Sequence, residues 1–163
     1  MTTPEVEAFL ETFQTVMMAS LTPEGGAHAS TAPYVRMEGD FYLFVSTVAQ
    51  HGRNLLACER VSLLFAEDEF QCVQPFARKR STIEAAVSEI PRGDEHFQTV
   101  IERFCARFDP ELVTSLSRMG DFHLFKLSPI GGSVVMGFGQ AYRLNEHLEV
   151  TGHIMAQHQK ENQ

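Results

Sequence analysis

Between Thr15 and Ser46 three extended runs alternate with two tight turns, and this limits the possible folds more than any other feature of the chain. The first run, TVMMASL (residues 15–21), ends at Thr22-Pro23-Glu24-Gly25-Gly26, where proline presets one turn dihedral and glycine supplies positive φ. The second, AHASTAPYVRM (residues 27–37), carries Pro33, which has no backbone donor and so implies a sheet edge or a bulge. Glu38-Gly39-Asp40 turns the chain again into FYLFVS (residues 41–46). Such a meander opens an antiparallel barrel or a sandwich. Short turns between successive strands favour closure, because a closed sheet has no exposed edges.

The rest of the chain supplies strands and helices to complete it. Val6, Phe9, Leu10 and Phe13 recur at helical spacing, with Thr3 as N-cap and Pro4 in the first turn. Residues 47–58 (TVAQHGRNLLAC) predict a short helix over the barrel mouth, and residues 59–65 a fourth strand. A fifth strand begins in the Arg78-Lys79-Arg80 run and continues through Ile83 to Ile90. Asp94 caps a helix over residues 95–108, in which Phe97, Val100, Ile101, Phe104 and Phe108 share a face; Asp109 caps a shorter one over residues 110–116. MGDFHLFKLSPIGGSVVMGFGQAYRL (residues 119–144) reads as two further strands with a turn at Ser128-Pro129-Ile130-Gly131-Gly132. Gly137 and Gly139 flank Phe138 inside the second of them, implying a bulge, a barrel corner or a closely approached backbone. The tally is six or seven strands in a mainly β, antiparallel fold, with residues 1–144 as the barrel domain and residues 145–163 as its histidine-containing C-terminal segment.

Composition narrows the function classes. The 163 residues make one domain large enough for a core without disulfides. The three cysteines are scattered, without a CxxC, which fits reduced thiols in the cytoplasm. No apolar run reaches the ~20 residues of a membrane span, and the acidic start MTTPEVEAFLE is not a signal peptide. A net charge of −8 argues against nucleic acid as a partner, since phosphate neutralisation needs a basic face.

Two local features could hold a small anion. The N-terminus of the 47–58 helix, with Ser46, Thr47, His51 and Arg53, is one; the alternative is a solvated helix. Arg78, Lys79 and Arg80 are the other, either a carboxylate or phosphate clamp or a charged edge strand that resists aggregation. On a strand Arg78 and Arg80 would point together and Lys79 away. The C-terminal segment holds His147, His153 and His158, without the HxxxH and neighbouring Glu of zinc peptidases, though one exposed histidine suffices as an axial ligand to a porphyrin iron.

The meander, then FVSTVAQHGRNL, FARKRST, DFHLFKLSPIGGSVVMGFGQAYRL and the histidine-containing tail, in that order, resemble the heme-utilisation proteins of the HugZ/HutZ type. That family belongs to the FMN-binding split-barrel superfamily, with the pyridoxamine phosphate oxidases. The resemblance covers nearly the whole chain and implies a split β-barrel and a homodimer that binds heme at the dimer interface. It further implies oxidative heme degradation for iron utilisation, with an external electron donor and possible delivery of heme by another protein. Carried onto this chain, the axial ligand falls on His158, with His153 as the nearby rival, and the aspartate that hydrogen-bonds the ligand across the dimer falls on Asp121. Arg78, Lys79 and Arg80 could face the propionates. The flavin-using relatives grip the FMN phosphate with a Ser-Arg-Lys set; Gln50-His51-Gly52 stands at those positions, which favours heme over an FMN-dependent oxidoreductase. A heme carrier without turnover would need the same ligand.

Overall fold

The computed structural model describes residues 1–155; the candidate ligand His158 lies outside the described residues. Eight strands form one antiparallel sheet: β1 (Thr15–Leu21), β2 (Ala27–Met37), β3 (Asp40–Ser46), β4 (Arg60–Ala66), β5 (Arg80–Ile90), β6 (Phe122–Val135), β7 (Ala141–Leu144) and β8 (Val150–His153). Their order is β3-β2-β1-β4-β5-β6-β7-β8, and β3 also pairs with β6. Six strands therefore close into a barrel, and β7 and β8 extend it as a hairpin.

Closure follows from two long strands that change partners. β2 pairs with β1 through residues 27–33 and with β3 through residues 34–37, so Pro33 sits where the strand turns from one neighbour to the other. β6 pairs with β3 through residues 122–127 and with β5 along nearly its whole length. Here the structure corrects the sequence reading. Ser128–Gly132 is not a turn between two strands but an irregularity within one strand of 14 residues. Pro129 faces Ala85 and Gly131 faces Glu84, leaving Ile130 without a partner, which is a β-bulge. Proline and glycine marked a real break in regularity, and the flanking ladder decided its form. Gly132 is required by close approach: a Cβ there would meet Ile83 Cα at 3.1 Å and the Thr82 carbonyl carbon at 3.2 Å.

Two further readings change. Gly137-Phe138-Gly139 lies outside the strands and makes the β6–β7 turn, closed by a bond from Met136 N to Gln140 O (2.9 Å); Gly139 has φ +67°, and Phe138 is exposed. Arg78 and Lys79 precede β5 and follow a 3₁₀ turn over Pro75–Ala77, so the face alternation expected for the three cations does not apply.

Four helices dress the barrel: α1 (Thr3–Glu11), α2 (Gln50–Ala57), α3 (Glu95–Arg107) and α4 (Pro110–Ser117). Thr2, not Thr3, caps α1, and its backbone N–H donates to Glu5 Oε2 (2.6 Å). Val6 and Leu10 of α1 enter the barrel core with Val16, Tyr34, Phe41, Leu63, Phe65, Ile83, Phe125 and Leu127, and the Tyr34 hydroxyl donates to Leu10 O (2.6 Å). Leu55 of α2 joins the same core. Asp94 and Asp109 cap α3 and α4 as expected. Phe97, Val100, Ile101 and Phe104 of α3 and Val113 of α4 cover Val35, Tyr42, Phe44 and Leu124 in a second cluster outside the barrel. Leu144 and Leu148 are buried in the first cluster, so the C-terminal segment is packed onto the barrel as far as β8.

Candidate functional site

The two ends of β6 divide the candidate residues into two groups. At its first residue, Phe122 pairs with Ser46; at its last, Val135 pairs with Arg80. Ser46, His51, Arg53 and Asp121 therefore gather at one barrel mouth, and Arg78, Lys79, Arg80 and His153 at the other.

At the first mouth Asp121 is held on several sides. The Ser46 hydroxyl donates to Asp121 Oδ2 and accepts from Val48 N (3.0 Å). Thr47 N donates to the Asp121 carbonyl (2.8 Å). Gly52 lets α2 seat against this segment, since a Cβ there would lie 2.7 Å from the Ser46 carbonyl carbon and 3.0 Å from Thr47 Cα. Below α2, buried Asn54 donates to Ser20 Oγ (3.0 Å) and accepts from Gln50 (2.7 Å). Burial pushes the His51 imidazole below its usual pKa, and His28 nearby adds to this by charge repulsion. Arg53 is engaged by its own loop: its guanidinium donates to the Val48 and Thr47 carbonyls (2.5 and 3.3 Å) and to Gln50 Oε1 (2.8 Å).

Three residues at this mouth escaped the sequence reading. Arg92, on the loop after β5, donates to the carbonyls of Ser117, Met119 (2.5 Å) and Phe122 (2.8 Å), so one guanidinium clamps both sides of Asp121. Its cation also lies 5.4 Å from the Phe97 ring centre. Glu89, which faces Phe125 in the β5–β6 ladder, reaches diagonally to the side chain of His123, 34 positions away in sequence. Nothing local in the sequence joins these residues; only the register does.

The second mouth is basic and apolar together. Arg78 Nε donates to the Glu67 carbonyl (2.8 Å), Lys79 N to Glu67 Oε1 (2.9 Å) and Arg80 to the Arg78 carbonyl (2.8 Å). These bonds fix the backbone of the β4–β5 loop, and Lys79 lines a hollow of about 280 Å³ with Met1, Glu5, Met136, Gln140 and Tyr142. Beside the cations stand Phe70, Val73 and Phe76, exposed to 101%, 98% and 89%, and Phe138, exposed to 70%. Water surrounds these large apolar groups, which is unusual for a single loop and its neighbour. His153 closes the edge, its Nε2 2.5 Å from the Gly139 carbonyl and its ring 5.2 Å from that of Tyr142. A larger hollow of about 730 Å³ between α1 and the β4–β5 loop is also lined by Lys79, but with the carboxylates of Glu67 and Asp68 on its wall. Among the described residues no cluster of three metal-ligating side chains occurs, and no helix is long and apolar enough to cross a membrane.

Six closed antiparallel strands with helices over both mouths define a split β-barrel of the FMN-binding type. The family model for pyridoxamine 5'-phosphate oxidase matches residues 2–135, and the chain belongs to that family, in its heme-utilisation branch of the HutZ type. It is 37% identical over 142 residues to heme oxygenase HutZ of Vibrio cholerae, covering 87% of this chain and 80% of that protein. The crystal structure of V. cholerae HutZ, there called a heme storage protein, superposes with a TM-score of 0.73 at 36% identity, over 77% of this chain and 88% of that one. ChuZ of Campylobacter jejuni gives 0.84 at 30% identity, over 98% of this chain and 64% of that one. A heme-binding protein of Mycobacterium smegmatis gives 0.74 at 25%, over 90% and 58%.

Proposed function

We propose that this protein binds heme between two copies of the chain and degrades it oxidatively, releasing iron with electrons from an external donor. The observation that carries the reading is the conjunction, at one mouth, of three cations with four exposed apolar side chains. Heme is an apolar plane with two carboxylates, and that pairing of surfaces suits it. Arg78, Lys79 and Arg80 would receive the propionates, Arg by its planar fork of donors. Phe70, Val73, Phe76 and Phe138 would cover apolar ring edge.

The chain length supports a shared site. Asp121 lies at one end of β6 and His153 beside the other, separated by about 40 Å of strand at ~3.3 Å per residue. Five residues from His153 to His158 can span at most about 17 Å. A bond between Asp121 and His158 is therefore better made between two protomers than within one. There, a carboxylate on the far ring nitrogen would fix the imidazole tautomer and raise its basicity toward iron. Ser46 already satisfies Oδ2 of Asp121, and Oδ1 has no partner among the described residues. Arg92 holds the carbonyls on either side of the aspartate, and the Thr47 amide holds its own carbonyl.

Bound heme supplies the iron at which dioxygen is activated and is itself the molecule consumed. The protein's part would be to orient it and to offer the His158 imidazole as the iron's ligand, with that ring's other N–H donated to the Asp121 carboxylate. The flavin alternative finds less support. Arg53 and Ser46, the groups nearest a phosphate at α2, are already spent on the Thr47–Gln50 and Asp121 segments. The dianion's desolvation would be poorly compensated.

The test is an absorption titration with hemin, followed by reductant and oxygen. A Soret band saturating near one heme per chain and bleaching on turnover is expected. His158→Ala should shift that band and slow bleaching; an unchanged spectrum refutes the tail ligand. Saturation without bleaching makes the protein a carrier, and flavin bands without a heme response replace the reading.

A further inference from the structure

Among the described residues nothing covers the outer face of β1 and β2, and no charge stands on it. Alternation sends Val16, Met18 and Ser20 into the barrel and leaves Thr15, Met17, Ala19 and Leu21 outside, Met17 exposed to 41% and Leu21 to 53%. The register sets Pro33, Thr31, Ala29 and Ala27 opposite them, also exposed. Leu64 and Ser62 of β4 continue the surface beside Met17 and Ala19. Between Thr12 and Val35 the single Asp, Glu, Lys or Arg is Glu24, in the β1–β2 turn, where a chain that is 21% charged would place about five. An antiparallel sheet with one face in water ordinarily carries polar and charged side chains there. The same segment has an open edge: residues 27–33 of β2 pair with β1, and among the described residues no strand pairs with their other side. A smooth uncharged face with an open edge invites association.

The occupant this face fits is a second copy of the chain. Around a two-fold axis a patch meets itself, so a charge near the axis meets a like charge. A chain of net charge −8 therefore associates with itself most readily through a surface kept clear of charge, as this one is. Charge returns at the margin, with Arg60 at the start of β4 and Arg80 and Glu84 on β5. The face also runs from one barrel mouth to the other, because β4 starts just after α2 and ends where Ala66 pairs with Arg80. Three strands with seven residues each in the face make a plate of roughly 14 by 23 Å, at ~4.8 Å between strands and ~3.3 Å per residue. A stable dimer hides about 800 Å² on each partner. The contact then extends past the plate onto the mouths, where Val48 at one and Phe70, Val73 and Phe76 at the other are exposed.

We propose that two copies pack through the outer faces of β1, β2 and β4, about a two-fold axis that lies in the interface and crosses the strands near Ala19. An axis in that direction sets the strands of the two faces antiparallel. The Asp121 mouth of each copy then lies beside the Arg78–Arg80 mouth of its partner, which makes two identical sites. The direction of the axis rests on the heme reading above and deepens it; the choice of face stands on charge and exposure.

The test is sedimentation equilibrium of the full chain, alone and with hemin. The wild type is expected to be a dimer. Ala19→Glu and Ala19→Lys each set like charges against one another at the axis and should weaken dimerisation by about 100-fold or more. Mixed together they should recover a heterodimer, which also shows that both are folded; no recovery overturns the axis near Ala19. Thr99→Glu, on the exposed side of α3, is the control and should dimerise as the wild type does. An Ala19→Glu protein that dimerises as tightly as wild type overturns the proposed face while the heme reading stands. Loss of its dimer with hemin affinity unchanged supports the face and overturns a site shared between copies. A wild type that stays monomeric with and without hemin overturns both.

Discussion

Replacing Gly52 by alanine puts the seat of α2 to the test. On propensity alone the change should help, because alanine is favoured over glycine inside a helix by about 1 kcal/mol. The structure predicts the reverse. The new methyl would stand 2.7 Å from the Ser46 carbonyl carbon and 3.0 Å from Thr47 Cα, both backbone atoms without a rotamer to move. Ordinary carbon contacts lie near ~3.5–4.0 Å, so α2 must retreat by about 1 Å. Overpacking of that kind costs about 1–3 kcal/mol. The retreat also draws Asn54 from Ser20, a buried bond of 3.0 Å, at about 1 kcal/mol. Set against the propensity gain, the net loss is about 2 kcal/mol. For a domain of this size that lowers Tm by roughly 4–8 °C. Urea unfolding should show a lower midpoint at unchanged slope. Gly93→Ala, where a Cβ meets nothing within 4 Å, is the control and should be neutral. If Gly52→Ala were as stable as wild type, the tight seat of α2 on Ser46 would be wrong.

Two other perturbations address the same mouth. Arg92→Ala removes the donors to three carbonyls around Asp121; amide exchange in residues 117–123 should accelerate, and the heme ligand spectrum should broaden or shift, while the fold survives. His51 is depressed by burial, so the folded protein holds fewer protons there than the unfolded chain. Its contribution is present above the unfolded pKa near ~6.5 and is lost as pH falls through the folded value. His51→Gln should flatten the fall of Tm between about pH 7 and pH 5, and an identical pH profile would refute the assignment.

The sequence was most legible where the physics is local. Asp94 and Asp109 announce their helices because a cap acts over three residues, and the meander announces itself because its turns are built from neighbouring residues. Legibility failed where a distant partner decides. Pro129 and Gly131 break regularity in any context, but only the ladder to Ala85 and Glu84 makes the break a bulge in one strand rather than a turn between two. Arg53 reads as a free cation until its loop folds back onto it. Glu89 and His123 become a pair only when β5 and β6 align, and Phe70 and Val73 give no sign in sequence that they remain in water. The Arg78–Arg80 run stood out by its charge and Asp121 through resemblance; that Asp121 adjoins the first residue of β6 while Arg80 pairs with its last was not legible.

That separation along β6 has a genetic counterpart. If each site takes Asp121 from one chain and His158 from the other, two different inactive proteins can repair each other. In a dimer of one Asp121→Asn chain and one His158→Ala chain, one site inherits both lesions and the other inherits neither. Random subunit exchange would then return about one site in four to wild-type composition, where either variant alone has none. Intragenic complementation of this sort would arise from the length of a single β-strand.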